Sequence, residues 1–172
     1  CLISETQDEA LLHAKQLISL NDQRRSIEIG MLKTALDSVE VNSEINSSIT
    51  LFNSNWHQGV IGIIASRLKE KYYRPTIIFA KDDNGLLKGS GRSISSFHLR
   101  DALDLVSKEY PEIIVTFGGH AMAAGLAIKE EDFNNFSKAF EQIAKRLLSE
   151  DDLNLTVDVD SSILDDDLNY KT

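Results

Sequence analysis

Between residues 49 and 150, short β-branched runs alternate with amphipathic helical patterns. That alternation restricts the chain to an α/β fold: a mixed sheet with helices packed on it. Ile49–Asn53 is a short strand, Trp56-His57-Gln58-Gly59 a turn, and Val60–Lys71 a helix with Ile61, Ile64, Ala65 and Leu68 on its apolar side. Pro75 follows that helix, and Thr76–Ala80 reads as a strand. Asp82-Asp83-Asn84-Gly85 is a hairpin-type turn, and the glycine-bearing run Leu87–Ile94 is the next strand. A helix at Leu99–Lys108, a buried-type strand at Ile113–Phe117, a short strand at Leu126–Lys129 and a helix at Asp132–Leu148 complete the unit.

A long helix precedes this unit, over residues 6–40. Thr6-x-x-Glu9 is a capping-box signature, with Ser4-x-x-Gln7 competing one turn earlier. Leu17, Leu20, Arg24, Ile27, Met31 and Ala35 recur at spacings of three and four, which defines one helical face. The polar stretch Asn21–Ser26 suggests that part of the helix bridges between domains, although a packing helix of this domain fits as well. Residues 41–48 are a polar loop. After residue 150, Leu153–Val159 reads as a strand that opens a further, truncated domain, since the acidic tail lacks core-forming residues. The chain opens on Cys rather than Met, so we expect it to belong to a longer polypeptide.

Net charge is -9 over 172 residues, which taken whole argues against nucleic-acid binding. The acid is concentrated at the two ends, however. Residues 49–127 carry nine Lys/Arg against seven Asp/Glu, and residues 150–172 one against eight. Cys1 is the only cysteine, so no internal disulfide can form, and a reducing cytoplasm is the expected compartment. No signal-peptide pattern is present, and no apolar run approaches the ~20 residues a membrane-crossing helix needs.

Three segments carry candidate chemistry. Gly118-Gly119-His120 follows a strand and precedes the alanine-rich run Ala121-Met122-Ala123-Ala124, a pattern that lets a ligand approach the backbone and offers N–H groups to an anion. His120 can donate to a phosphate oxygen, or be a structural residue of a tight turn. In Lys88-Gly89-Ser90-Gly91-Arg92-Ser93 the glycines mark a bulge or a close backbone approach. Arg92 there is a forked donor suited to phosphate, and an exposed arginine on a glycine-rich edge strand is the alternative. His57, Gln58 and Gly59 lie at a helix N-terminus, a favourable anion position. Trp56 fits the core better than a base-stacking role, and Arg67, Arg74 and Arg100 read as surface or ion-pair residues. No Asp/His cluster has the density of a two-metal phosphodiesterase site, no Cys pair can hold zinc, and no nucleophile-elbow pattern occurs.

Five runs in register resemble the DHH-associated domain of the RecJ family of single-strand-specific exonucleases. They are Trp56 to Arg67 (WHQGVIGIIASR), Arg74-Pro75, Gly89 to Ser93 (GSGRS), Arg100 to Leu103 (RDAL) and Phe117 to Gly125 (FGGHAMAAG). The glycine-glycine-histidine run alone is shared across DHH phosphoesterases and a domain of alanyl-tRNA synthetases. The other runs narrow the resemblance, which spans residues 5–150.

The resemblance implies a parent enzyme that removes nucleotides from the 5′ end of single-stranded DNA in repair and recombination. It implies two Mn2+ or Mg2+ ions on a preceding DHH domain, with no catalytic residue and no metal ligand in this chain. Residues 1–48 would be the interdomain connecting helix and loop, 49–150 the DHH-associated substrate-binding domain, and 151–172 the start of an OB-fold. His57, Gln58, Gly59, Ser90, Arg92, Ser93, Gly118, Gly119 and His120 would bind substrate. Single-stranded DNA is the implied partner, with a single-strand-binding protein and a helicase in the same pathway and no membrane. Two other readings remain: a DHH-family phosphodiesterase acting on short oligonucleotides, and a non-catalytic nucleic-acid-binding module.

Overall fold

The computed structural model describes residues 2–41 and 46–156. Helix α1 runs over Gln7–Val41, strand β1 over Ile49–Phe52, helix α2 over Ile61–Tyr72, and the hairpin strands β2 and β3 over Thr76–Lys81 and Leu86–Arg92. Helix α3 (Leu99–Glu109), strands β4 (Ile114–Gly119) and β5 (Ala123–Lys129), and helix α4 (Phe133–Leu147) follow. The five strands form one sheet in the order β1-β2-β3-β5-β4, with β1 parallel to β2 and every other pairing antiparallel. The expected mixed α/β sheet with helices packed on it, preceded by a long helix, is what the chain adopts.

Each sheet face has its own core. β2 is buried on both faces, so its residues alternate between the two layers. Ile77 and Phe79 join α3 and α4, while Ile78 and Ala80 join α2 and α1. On the first face Phe79 meets Phe136 edge-on at 5.4 Å, and Phe136 stacks on Phe140 at 5.9 Å. Each of these fully buried rings contributes about 1.5–3 kcal/mol by removal from water. On the second face Ile64, Ala65 and Leu68 of α2 pack with Met31 and Ala35 of α1 and with Trp56.

Local signals explain the boundaries. The Thr6 hydroxyl accepts the Glu9 N–H at 3.3 Å, and the Glu9 carboxylate turns back to the Glu5 N–H at 3.2 Å, a capping arrangement displaced by one residue from the expected box. The Asp82 carboxylate accepts the N–H groups of Asn84 and Leu86, which closes the β2–β3 turn with Gly85 at φ 83°. The Glu141 carboxylate of α4 accepts the N–H groups of Ser47 and Ser48, fixing the approach to β1. Arg74 spends its guanidinium on the carbonyls of Asn46, Tyr72, Tyr73 and Leu153, and burial draws its pKa below the usual arginine value against the raising field of Glu141.

The repeating face of α1 is covered only in part: Leu17 and Leu20 are 58% and 59% exposed, and Ile27 is 40% exposed, whereas Met31 and Ala35 are buried. Only the C-terminal half of α1 reaches α2 and Trp56. Three expectations need correction. The run Ile113–Phe117 is not a buried strand; β4 is the sheet edge, and Val115 is exposed where the register shifts between Ile114 and Thr116. Strand β5 starts at Ala123 rather than Leu126, because the alanines after His120 are small enough to pair between β3 and β4. Leu153 ends a 3-10 turn over Asp151–Leu153 rather than opening a strand; the remainder of that expected strand from residue 157, and most of the tail, lie outside the described residues.

Candidate nucleic-acid interface

The first turn of α2 is positioned from below. Trp56 is buried, and its indole N–H donates to Thr34 Oγ1 at 3.0 Å, which ties the turn to α1 and removes the ring from any stacking role. The His57 N–H points at Met31 Sδ, and His57 Nδ1 accepts the Gly59 N–H at 3.0 Å. The imidazole and the Gln58 side chain therefore stand at the surface. Val60, the N-cap, supplies no side-chain acceptor, so the helix begins with its positive end uncapped by any side chain.

Strand β3 lies beside this helix end. Alternation sends Gly89 and Gly91 to the α3/α4 face and Ser90 and Arg92 to the α2 face. The two glycines are core residues: a Cβ at Gly89 would stand 2.6 Å from both Phe79 and Leu126, and one at Gly91 would stand 2.7 Å from Leu99. The pairing of β3 with both neighbours is unbroken, so the expected bulge is absent; the glycines make room for large apolar side chains, not for a ligand. On the other face, a Cβ at Gly62 would lie 3.1 Å from Arg92 Nη2 and from Ser90 Oγ. Gly62 thus lets the β3 polar pair lie against the first turn of α2. Arg92 Nη1 donates to Ser90 Oγ at 3.2 Å and to the Gly91 carbonyl at 2.8 Å, which orients the guanidinium. Arg92 lines a shallow cavity of about 340 Å³ together with Gly59, Gly62, Ser66 and Arg67.

Strands β5 and β4 extend the same face. Gly118 and Gly119 continue β4 instead of forming a loop, and the His120 N–H bonds to the Ala123 carbonyl at 2.8 Å, so this backbone is not a nest of free N–H groups. Gly119 has φ 148°, and a Cβ there would lie 2.5 Å from the Ala123 carbonyl oxygen and Ala124 Cα. Gly118 has open space where its Cβ would be. The register aligns Ser90, Gly125 and Gly118 in one row across three strands, and Arg92 and Ala123 in the next, with His120 closing the hairpin beside Ala123. With strands ~4.8 Å apart, Arg92 and His120 flank Ala123 from two strands away. The result is an open floor of two glycines and an alanine, walled by Ser90, Arg92 and the α2 terminus, with exposed His120 at its far side.

Seven of the nine expected site residues share this face or its rim; Gly119 pairs with Ala124, and its Cβ position lies on the opposite face. Ser93 is not on this face either: it is buried, its hydroxyl donates to the Phe97 carbonyl at 2.7 Å, and its N–H bonds to the Met122 carbonyl at 3.0 Å. Alternation from Arg92 turns it to the core, where it pins the loop before α3 to the β4–β5 turn. Gly62 and Gly125 also border this face and were not among the expected site residues; only strand register and the helix–strand contact show what they face. Among the described residues no group of three His, Cys, Asp or Glu could hold a metal ion, so the residues present do not fit one. No helix of the described residues is long and apolar enough to cross a membrane.

A five-stranded mixed sheet carrying a glycine-glycine-histidine hairpin beside an uncapped helix defines a class of domain. Residues 44–146 match the DHHA1 domain family, and the chain belongs to it. Within that family it is similar to the single-stranded-DNA-specific exonuclease RecJ of Haemophilus influenzae, at 40% identity over 99% of this chain and 30% of that protein. It is also similar to the RecJ of Escherichia coli, at 42% identity over 86% of this chain and 26% of that protein. RecJ of Thermus thermophilus in complex with Mn2+ superposes with a TM-score of 0.73, at 32% identity over 84% of this chain and 20% of that one. The chain therefore spans less than a third of the length of these relatives. It is a RecJ-like DHHA1 region.

Proposed function

We propose that this chain is the strand-gripping part of a metal-dependent 5′→3′ single-stranded-DNA exonuclease of repair and recombination. On this reading residues 1–48 connect it to a catalytic domain elsewhere in the polypeptide, residues 49–150 hold the DNA, and residues 151–172 begin an OB-fold. The observation that supports it most is the placement of Arg92 and Ser90 against the uncapped first turn of α2, beside a floor of two glycines and an alanine. An uncapped helix terminus and a forked cation favour an oxyanion, and bare glycines allow a sugar-phosphate backbone to lie close. Arg92 and His120 would hold the phosphate next to the scissile bond, positioning it and offsetting charge that grows during hydrolysis. On this reading the bond-breaking groups lie outside this chain.

The test uses the full-length enzyme. Arg92→Ala and His120→Ala should each lower turnover by roughly ten- to a thousand-fold, as removal of a single transition-state donor does elsewhere. Their melting temperatures should stay near that of the parent, since neither side chain fills the core. A lowered melting temperature with unchanged activity per folded molecule would make both residues structural and refute the assignment.

A further inference from the structure

A second cavity, of about 690 Å³, opens between α1 and α2 and is lined by Arg24, Arg25, Glu28, Leu32 and Arg67. Arg67 also lines the cavity that holds Arg92, so the two depressions share this residue. Together they contain four arginines, at 24, 25, 67 and 92, against Glu28 and Glu70. The carboxylates do not neutralise Arg67 tightly. Glu28 approaches it at 3.8 Å and Glu70 at 4.0 Å, beyond the ~2.7–2.9 Å of a charge-assisted hydrogen bond. The Arg67 side chain is 57% exposed and free to exchange these loose partners for a stronger anion. Gly62 and Arg67 are five positions apart, ~7.5 Å along α2, and Arg24 lies one turn before Glu28 on α1. The cationic side chains therefore follow one another from the helix terminus, over the outer face of α2, onto α1.

We infer that the single strand does not end at the Arg92 site but continues across Arg67 to Arg24 and Arg25, which hold the backbone phosphates of the following nucleotides. The inference rests on the proposed function, because it extends that site. It explains why exposed arginines recur on a stretch of α1 that makes no core contact, in a chain whose net charge is negative. It also makes α1 part of the DNA-binding surface, and not only a connector.

The experiment compares the chain with its Arg24→Gln/Arg25→Gln double variant and with Arg92→Gln. The probes are fluorescent oligothymidylates of about 4 and about 16 nucleotides, which bracket the site sizes of single-strand binders. Each lost phosphate contact should flatten the slope of log K against log salt by ~0.7, equivalent to roughly fivefold in affinity per tenfold change in salt. On the long strand the double variant's slope should therefore be flatter by ~1.4, so that its deficit in affinity grows roughly 25-fold for each tenfold fall in salt, and it should bind the short strand unchanged. Arg92→Gln should weaken both. If it does so while the double variant matches the parent on the long strand, the α1 track is refuted and the Arg92 site stands. If the parent binds neither strand, or Arg92→Gln changes neither, the proposed function fails and takes the track with it. Displacement of the long strand by poly-glutamate as readily as by unlabelled oligothymidylate at equal charge would reduce the track to unspecific charge and overturn it.

Discussion

The adjacent glycines 118 and 119 should respond oppositely to the same substitution. At Gly119 a new methyl would stand 2.5 Å from the Ala123 carbonyl oxygen and 2.5 Å from Ala124 Cα, both backbone atoms that cannot rotate away. The φ of 148° is itself outside the range an alanine adopts without strain. Strained backbone costs about 1–3 kcal/mol and overpacking about the same again, so Gly119→Ala should lose about 2–6 kcal/mol. That is a large share of the ~5–15 kcal/mol that holds a domain together. For a chain of this size it corresponds to a drop in melting temperature on the order of 10 °C. At Gly118 the same methyl meets nothing within 4 Å, and the strand pairing is ordinary. Gly118→Ala should therefore melt at or slightly above the parent temperature, by up to ~1 kcal/mol of lost unfolded-chain entropy. Because its methyl projects over the open floor beside Ser90 and Gly125, it should weaken oligothymidylate binding while the fold is intact. Thermal melts by circular dichroism and fluorescence binding on the two variants decide the matter. Equal melting temperatures would show that the hairpin relaxes around the clash, and a destabilised Gly118→Ala would show that this glycine serves the fold and not the surface.

The isolated chain should release no mononucleotides from labelled single-stranded DNA in the presence of manganese, because the described residues contain no metal-binding cluster; steady release would contradict this. Glu109 receives a two-pronged pair from Arg146, at 2.6 and 3.2 Å, and the arginine holds its carboxyl below the usual carboxylate range. A depressed carboxyl stabilises the fold above its unfolded pKa and loses that effect as pH falls through the folded one. Glu109→Gln should thus melt slightly below the parent at neutral pH and converge with it in acid, as melts across a pH series would register; a gap that persists at low pH would assign the loss to packing.

The α/β class, the order of elements and most residues of the candidate face were legible in the chain itself, because they depend on local periodicity and turn chemistry. The short, continuously apolar run of β2, the Asp-Asp-Asn-Gly turn and the apolar stripe of α2 each specify their own geometry within a few residues. So does Trp56, whose size and single donor suit a junction in the core. Other properties depend on what lies opposite, and only the tertiary structure decides those. Gly89 and Gly91 look like openings for a ligand until strand pairing brings Phe79, Leu126 and Leu99 over them. Ser93 looks like the partner of Arg92 until alternation turns it inward to Phe97. β4 has the composition of a buried strand and is the sheet edge, since strand order is set by long-range pairing that no local pattern encodes. Along α1 one apolar repeat covers both a buried and an exposed half, because its periodicity defines a face and the packing of α2 and Trp56 determines how much of that face is covered.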